Sequence, residues 1–150
     1  MRIALASDHA GFDLKQRIAA HLAGRHECLD LGPFGAGRVD YPDSAEKVGR
    51  AIGRREADLG ILVCGSGIGI SIAANKLPGV RAALCHDEYT ARMSRAHNDA
   101  NVLCLGARVI GEGVALAAVD AFLTAEFEGG RHADRVVKIH RLESSFQDQD

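Results

Sequence analysis

A cysteine followed by a glycine-rich turn is the segment of this sequence with the clearest chemical potential. The apolar run 61–63 ends at Cys64, the turn 65–69 follows at once, and the next residues predict a helix that Pro78 stops. At such a junction backbone N–H groups lack partners and positive potential collects, while glycine lets a ligand approach closely. The turn is therefore predicted to attract an anion, with Cys64 at its edge.

Cys64 is the candidate reactive group of this turn. A thiol that faces a helix N-terminus and backbone N–H groups favours its thiolate form, although an inert cysteine at a strand end is the alternative. Ser66 could offer its hydroxyl to the same ligand, or could simply cap the turn. The remaining cysteines form no C-x-x-C pair and fit the role of small buried hydrophobic residues. They are Cys28, Cys85 and Cys104.

Other polar residues could complete a site. His97 ends a predicted helix, where it could move protons or cap the helix. His9, beside Asp8 after the first predicted strand, could bind a phosphate or a sugar hydroxyl, or could cap a loop. Arg131 and Arg135, spaced i,i+4, could clamp a dianion or form a solvated face. No metal site is expected, because the histidines and cysteines lack close ligand spacing.

The order of the predicted elements indicates an α/β fold. Strands are predicted at 2–7, 26–31, 59–64, 80–85 and 102–105, and helices at 12–23, 41–55, 71–77, 88–97, 113–127 and 133–146. This alternation predicts a three-layer, doubly wound, Rossmann-like sandwich with about five parallel strands flanked by helices. Asp43 and Glu46 have the spacing of a capping box for the second helix. The whole chain, 1–150, is predicted to form a single domain.

Composition and charge exclude several classes of protein. The formal net charge of −2 argues against a general nucleic-acid binder. No apolar run approaches the roughly 20 residues of a membrane span, and nothing before Ser7 resembles a signal peptide, so we expect a cytoplasmic protein with no membrane contact. The turn reads G-x-G-x-G rather than the dinucleotide fingerprint, and no Walker A motif occurs. The turn is therefore not expected to bind a dinucleotide in the Rossmann manner or a nucleotide in the Walker manner.

The C-terminal helix is predicted to pack on a partner subunit. It follows a Gly129-Gly130 break and carries an apolar stripe. The stripe consists of Val136, Ile139, Leu142 and Phe146. His97 precedes the fifth strand, which places it at the opposite rim from Cys64 of the same chain. We therefore expect a homodimer whose site takes His97, with or without the two arginines, from the neighbouring chain.

Seven segments taken together resemble the type B ribose-5-phosphate isomerase family, which includes the subunits of galactose-6-phosphate isomerase. They lie at 7–12, 40–43, 64–69, 73–76, 95–102, 106–111 and 128–132, in the family's order. The resemblance implies an aldose–ketose isomerase of sugar phosphates that needs neither metal nor cofactor. It also implies a dimer or a dimer of dimers, with sites at the subunit boundary.

The resemblance also implies a role for each matching residue. Cys64 would be the base that moves a proton between C1 and C2, Ser66 would help hold the enediolate oxygen, and His97 would help to open the furanose ring. The sugar would contact Asp8, His9, Tyr41, Asn98 and the turn residues Gly65, Gly67, Ile68 and Gly69. The phosphate would contact His9, Arg108, Arg131 and Arg135. One branch of the family has a glutamate base at the position of Ile70, so this sequence resembles the cysteine branch.

Two alternatives remain open. Ribose 5-phosphate is the leading substrate, but a hexose 6-phosphate or a tetrulose 4-phosphate would use the same chemistry. The loop 32–38 and the turn 65–69 would select among them. A phosphosugar or nucleotide sensor could use the turn for binding alone, because one fold hosts many functions. A thiol oxidoreductase is disfavoured, since no resolving cysteine lies near Cys64 in the sequence.

Overall fold

The computed structural model describes residues 1–35 and 37–145. The strands are β1 (Arg2–Ser7), β2 (Glu27–Asp30), β3 (Leu59–Cys64), β4 (Ala82–Leu84) and β5 (Val102–Gly106). The helices are α1 (Phe12–Leu22), α2 (Tyr41–Gly53), α3 (Ile68–Ala74), α4 (Glu88–Asn98), α5 (Glu112–Thr124) and α6 (Arg131–Ser145). Among the residues described, no helix combines the length and the hydropathy that a membrane span requires.

The five strands form one fully parallel sheet in the order β2-β1-β3-β5-β4. Alternate strand residues point to opposite faces. Ile3 and Leu5 of β1 pack in one core cluster with α1, α4 and α5. Ala4 and Ala6 pack in a second cluster with α2 and α3. The predicted three-layer α/β sandwich is thus confirmed.

The register of the central strands creates the edge at which the candidate site lies. Ser7 of β1 pairs with Val63 of β3, and Cys64 pairs with Gly106 of β5. These three strands therefore end at nearly the same level, and the segments that follow them converge. Ligands of parallel sheets bind at this carboxyl edge.

Several element boundaries differ from the sequence prediction. Helix α2 begins at Tyr41, as predicted, but its N-cap is Asp40, so the predicted cap at Asp43 is wrong: Asp43 lies inside the first turn. Pro42 favours this start, because its fixed φ suits the first helical turn. Helix α5 ends at Thr124, since Ala125 is already extended. Phe146 of the predicted apolar stripe lies outside the described residues.

Helix α6 is anchored to the rest of the subunit by a polar network around Arg81. One guanidinium nitrogen of Arg81 lies 2.9 Å from His140 Nε2 on α6, and another donates to Asp99 at 3.1 Å. Asp99 ends α4 in the left-handed region, with φ of 45°, and also accepts a hydrogen bond from Arg95. The network ties the end of α4, and with it His97, to the body of α6.

Lys15 is a buried cation that holds the loop after β2. Its side chain is 1% exposed, and its Nζ donates to Asp30 Oδ1 at 2.6 Å and to the carbonyl of Pro33 at 2.8 Å. The ammonium also lies over the rings of Phe12 and Phe34 at 5.6 and 5.7 Å. Lys15 therefore joins α1 to the start of the loop that was predicted to select the sugar.

We expect Lys15→Met to lower the free energy of unfolding by about 2–3 kcal/mol, because the methionine fills the space but leaves Asp30 without its cation. Chemical denaturation would measure the loss. Lys47→Met, at an exposed position on α2, is the matched control and should change stability by less than about 0.5 kcal/mol. Equal stability of the two variants would show that the buried contact contributes nothing.

Candidate active site

The sulfur of Cys64 is held by the first turn of α3. Cys64 is 4% exposed, and the Gly67 N–H donates to its Sγ with an N···S distance of 3.1 Å. Gly67 is in the left-handed region with φ of 76°, and this conformation turns its amide back towards the sulfur. The backbone of the turn therefore fixes the position of the sulfur.

Cys64 opens into a cleft of about 340 Å³ at the carboxyl edge of the sheet. The cleft is lined by Asp8, Tyr41, Cys64, Gly65, Ser66, Gly69, Arg108 and Val109. Seven of these eight residues were named from the sequence; Val109 is the addition, and its only signal was its place beside Arg108. Cys64 thus packs in the second core cluster and also borders the cleft, whereas an inert strand-end cysteine would only pack in the core.

Glycines let neighbouring side chains approach the turn. A Cβ on Gly69 would lie 2.6 Å from the ring of Tyr41, so the phenol packs directly on the turn backbone. A Cβ on Gly65 would lie 3.3 Å from a guanidinium nitrogen of Arg108. Arg108 is also fixed through its backbone, because its N–H donates to the Gly65 carbonyl at 2.9 Å. The turn therefore has a phenol and a cation against it.

Ser66 performs the capping role that was its alternative interpretation. Its Oγ accepts a hydrogen bond from the Ile68 N–H at 3.2 Å. The hydroxyl still lines the cleft and retains its own proton to donate. Ile70, at the position of the other branch's glutamate, is fully buried in the core. Cys64 therefore remains the candidate base at this turn.

Asp8 and His9 follow β1 and differ in their surroundings. Asp8 is 7% exposed, and its Oδ1 accepts a hydrogen bond from the Gly11 N–H at 2.9 Å, which fixes the carboxylate at the cleft. His9 is exposed, and its Nδ1 lies 3.2 Å from the Val39 carbonyl. The imidazole thus reaches towards the loop that precedes α2.

The other cysteines behave as buried hydrophobic residues. Burial raises the pKa of the Cys104 thiol far above its ordinary value, and burial is also the main cause of the raised pKa values of Cys85 and Cys28. A raised pKa keeps these groups as neutral thiols. The structure thus supports the predicted role of Cys85 and Cys104 as small buried hydrophobic residues, whereas Cys28 is only half-buried.

His97 lies away from Cys64 of the same subunit. It is close to the C-terminal end of α4, which precedes β5, whereas Cys64 is level with the last residue of β5. Five residues of parallel strand extend roughly 16 Å. Asn98, Arg131 and Arg135 are exposed, and within the described part of the chain none of them lines the Cys64 cleft. The fold therefore separates the predicted site residues into two groups.

His97 has two partners that sequence reasoning did not assign to it. Its ring stacks on that of His132, with centroids 4.2 Å apart and planes 7° from parallel. Glu128 Oε2 lies 3.7 Å from Nε2 of each histidine. The i,i+4 spacing of Glu128 and His132 was the only available signal, because His97 is distant in sequence. Burial lowers the pKa of His132, and the neighbouring His97 and Arg131 act in the same direction, which favours its neutral form.

The fold and the cleft define a Rossmann-like α/β protein with a thiol at a small polar site. Residues 3–139 match the family model described as Ribose/Galactose Isomerase. The chain belongs to this family.

Close relatives support the assignment over almost the full length. Ribose-5-phosphate isomerase B of Escherichia coli (strain K12) is 50% identical over 143 residues, which are 95% of this chain and 96% of that protein. The structure of Clostridium thermocellum ribose-5-phosphate isomerase B has a TM-score of 0.96 at 54% identity, covering 97% of this chain and 99% of that one. The Mycoplasma genitalium ribose-5-phosphate isomerase B, solved with bound ribulose 5-phosphate, has a TM-score of 0.91 at 46% identity and 95% coverage of each chain.

Proposed function

We propose that this protein is an aldose–ketose isomerase that interconverts ribose 5-phosphate and ribulose 5-phosphate through an enediolate. The observation that carries the proposal is the Cys64 sulfur, which accepts an amide hydrogen bond and opens into a polar cleft. The family and the ribulose-5-phosphate complex of the Mycoplasma relative support the choice of substrate.

The chemistry needs one base and preorganised donors. The Cys64 thiolate takes the proton from C2 of the open-chain aldose, the electron pair forms the C1–C2 double bond, and negative charge develops on O1. Return of a proton to C1, with transfer of the O2 hydroxyl proton to O1, gives the ketose. The Ser66 hydroxyl and the N–H groups of the turn stabilise the charged oxygen, and one such donor contributes on the order of 3 kcal/mol in the transition state.

The remaining residues bind the substrate. Asp8, Tyr41 and the turn residues contact the sugar from the subunit that supplies Cys64. Arg108 of the same cleft provides a fixed cation for the phosphate, and His9, which follows β1, also contacts the phosphate. His97 assists opening of the furanose ring, since an imidazole can give and take a proton near neutral pH.

The active site is completed by a second copy of the chain, which supplies His97, Asn98, Arg131 and Arg135. Two observations support this. The two groups of site residues lie at opposite edges of one subunit, and α6 leaves apolar side chains uncovered. Ile139 and Leu142 are 40% and 60% exposed and line a groove of about 530 Å³ with Ala82 and Ala83 of the edge strand β4. Val136 of the predicted stripe packs within its own subunit instead.

Mixing two inactive variants tests the shared site. Cys64→Ala and His97→Asn should each be nearly inactive. After the subunits are unfolded and refolded together, each mixed dimer should hold one intact site, because Cys64 and His97 of one site come from different chains. A 1:1 mixture should thus recover about a quarter of wild-type activity. Absence of any recovery from a mixture that contains mixed dimers would contradict the shared site.

A panel of sugar phosphates tests the substrate. We expect the highest kcat/KM with ribose 5-phosphate and ribulose 5-phosphate among aldose and ketose phosphates of four to six carbons. Higher kcat/KM for a hexose 6-phosphate or a tetrulose 4-phosphate would keep the mechanism but overturn the sugar. Binding of ribose 5-phosphate without any turnover in the panel would instead indicate a sensor.

A further inference from the structure

We propose that His97, Glu128 and His132 form a binding site for a divalent transition-metal ion, and that Zn²⁺ is the ion that binds. The bound ion would inhibit the enzyme. From the sequence we expected no metal site, because the candidate ligands are scattered. The fold collects three of them, and the proposed reaction itself remains metal-free. Metal binding is independent of the proposed function, whereas inhibition rests on the role proposed for His97.

The ligand atoms are close to the spacing that zinc requires. The two imidazole nitrogens and one carboxylate oxygen all lie within 4.8 Å of one another. Each Nε2 is 3.7 Å from the same Glu128 oxygen. Ligand atoms around a tetrahedral zinc are roughly 3.3 Å apart, given bonds of about 2.0–2.1 Å. The two nitrogen-to-oxygen distances therefore need to shorten by only about 0.4 Å, and the two nitrogens, which lie within 4.8 Å of one another, must also move closer.

The backbone holds these ligands together without an ion. The Glu128 N–H donates to the Ala96 carbonyl at 3.0 Å, which joins the segment before α6 to the end of α4 beside His97. Gly129 and Gly130 then adopt φ of 64° and 55°, and the His132 N–H donates to the Gly129 carbonyl at 3.0 Å. This tight turn returns His132 to Glu128. The arrangement is built by the fold rather than by chance approach of surface side chains.

One adjustment is needed on binding. Two parallel rings cannot both direct an in-plane lone pair at one ion, so one ring must tilt. His97 is the ring that can move, because its side chain is 37% exposed whereas that of His132 is 10% exposed. The Glu128 side chain is 59% exposed, which leaves the fourth position to water. Arg131 and Arg135 add positive charge nearby and should limit the affinity for a cation.

Two imidazoles and one carboxylate form a ligand set that suits zinc, whereas Mg²⁺ and Ca²⁺ prefer oxygen ligands. An ion on His97 Nε2 occupies the lone pair that would carry the proton. Zinc binding would therefore stop His97 from assisting ring opening.

Metal binding is tested without reference to activity. We expect wild type to bind one Zn²⁺ per chain by calorimetry, and Co²⁺ as a probe should give visible bands of nitrogen and oxygen coordination without a thiolate charge-transfer band. His132→Asn and Glu128→Gln should each weaken zinc binding by at least about tenfold. The control is His21→Asn, which removes the histidine paired with Asp120 at 2.9 Å and should leave zinc affinity unchanged.

The proposal is overturned if both folded variants bind zinc as tightly as wild type, or if the Co²⁺ spectrum shows thiolate coordination that Cys64→Ala removes. For inhibition, Zn²⁺ should reduce wild-type turnover reversibly, with recovery on adding a chelator, and at least about tenfold more zinc should be needed for His132→Asn. Zinc binding without inhibition would reject the inhibitory role. Absence of isomerase activity with every sugar would overturn the proposed function while the binding result still stood.

Discussion

The Cys64→Ala variant should lose about 10²- to 10⁴-fold in kcat for ribose 5-phosphate, because the proton at C2 has lost its base. Exchange of the C2 hydrogen with deuterated solvent should fall by the same factor. Binding of the sugar phosphate should be nearly unchanged, since the sulfur does not contact the phosphate in the proposed complex. A kcat within tenfold of wild type would reject Cys64 as the base.

The matched control is Cys28→Ala, which removes a thiol from β2 on the far side of β1 from β3. This variant should retain wild-type kcat. Alkylation gives an independent measurement: iodoacetamide should inactivate wild type, ribose 5-phosphate should slow the inactivation, and Cys28→Ala should behave like wild type. Equal inactivation with and without substrate would place the reactive thiol outside the cleft.

Gly67→Ala should have the second large effect, on both stability and activity. Gly67 has φ of 76°, and an added Cβ would lie 2.5 Å from a Leu84 methyl and 2.9 Å from the backbone carbon of Leu105. Left-handed backbone and overpacking together should lower the free energy of unfolding by about 3 kcal/mol or more. The forced shift should also move the amide away from the Cys64 sulfur and lower kcat. Denaturation and steady-state kinetics measure the two effects.

Gly79→Ala is the control that separates the cost of a left-handed backbone from the cost of the steric clash of the added Cβ. Gly79 has nearly the same φ, 77°, but an added Cβ would have no heavy atom within 4 Å. This variant should lose only about 1–2 kcal/mol and should keep wild-type kcat. If Gly67→Ala were no less stable or active than Gly79→Ala, the close contact between the turn and β5 would have no energetic importance.

The fold class and much of the cleft could be predicted from local patterns. Alternation of apolar strands and amphipathic helices indicates a parallel sheet, and the carboxyl-edge rule then groups residues that follow strands. Asp8 and Cys64 lie at one cleft because each of them is at, or directly after, the carboxyl end of a strand. The glycines of the turn were also informative, because a left-handed backbone at Gly67 and the approach of Tyr41 to Gly69 exclude larger side chains.

Boundaries and side-chain partners depended on contacts that sequence spacing does not encode. The predicted cap at Asp43 was wrong because the helix begins at Tyr41 with Asp40 as its cap, which leaves Asp43 inside the first turn. The roles of His9 at the Val39 loop and of Lys15 as a buried clamp also arise from contacts between separate segments. From the sequence alone, a charged residue in an amphipathic helix is predicted to be solvated, and only the fold shows whether its side chain has a buried partner.

Residue types and their order alone determined the α/β architecture, the position of Cys64 at the end of a strand, and the placement of His97 at the opposite edge. All three follow from the local conformation of each segment and from the order of the segments along the chain. Only the tertiary structure decided that β5 lies between β3 and β4, and that His132 and Glu128 join His97. These are consequences of long-range packing, where segments distant in the chain compete for the same neighbours, and no periodicity within one segment records the outcome.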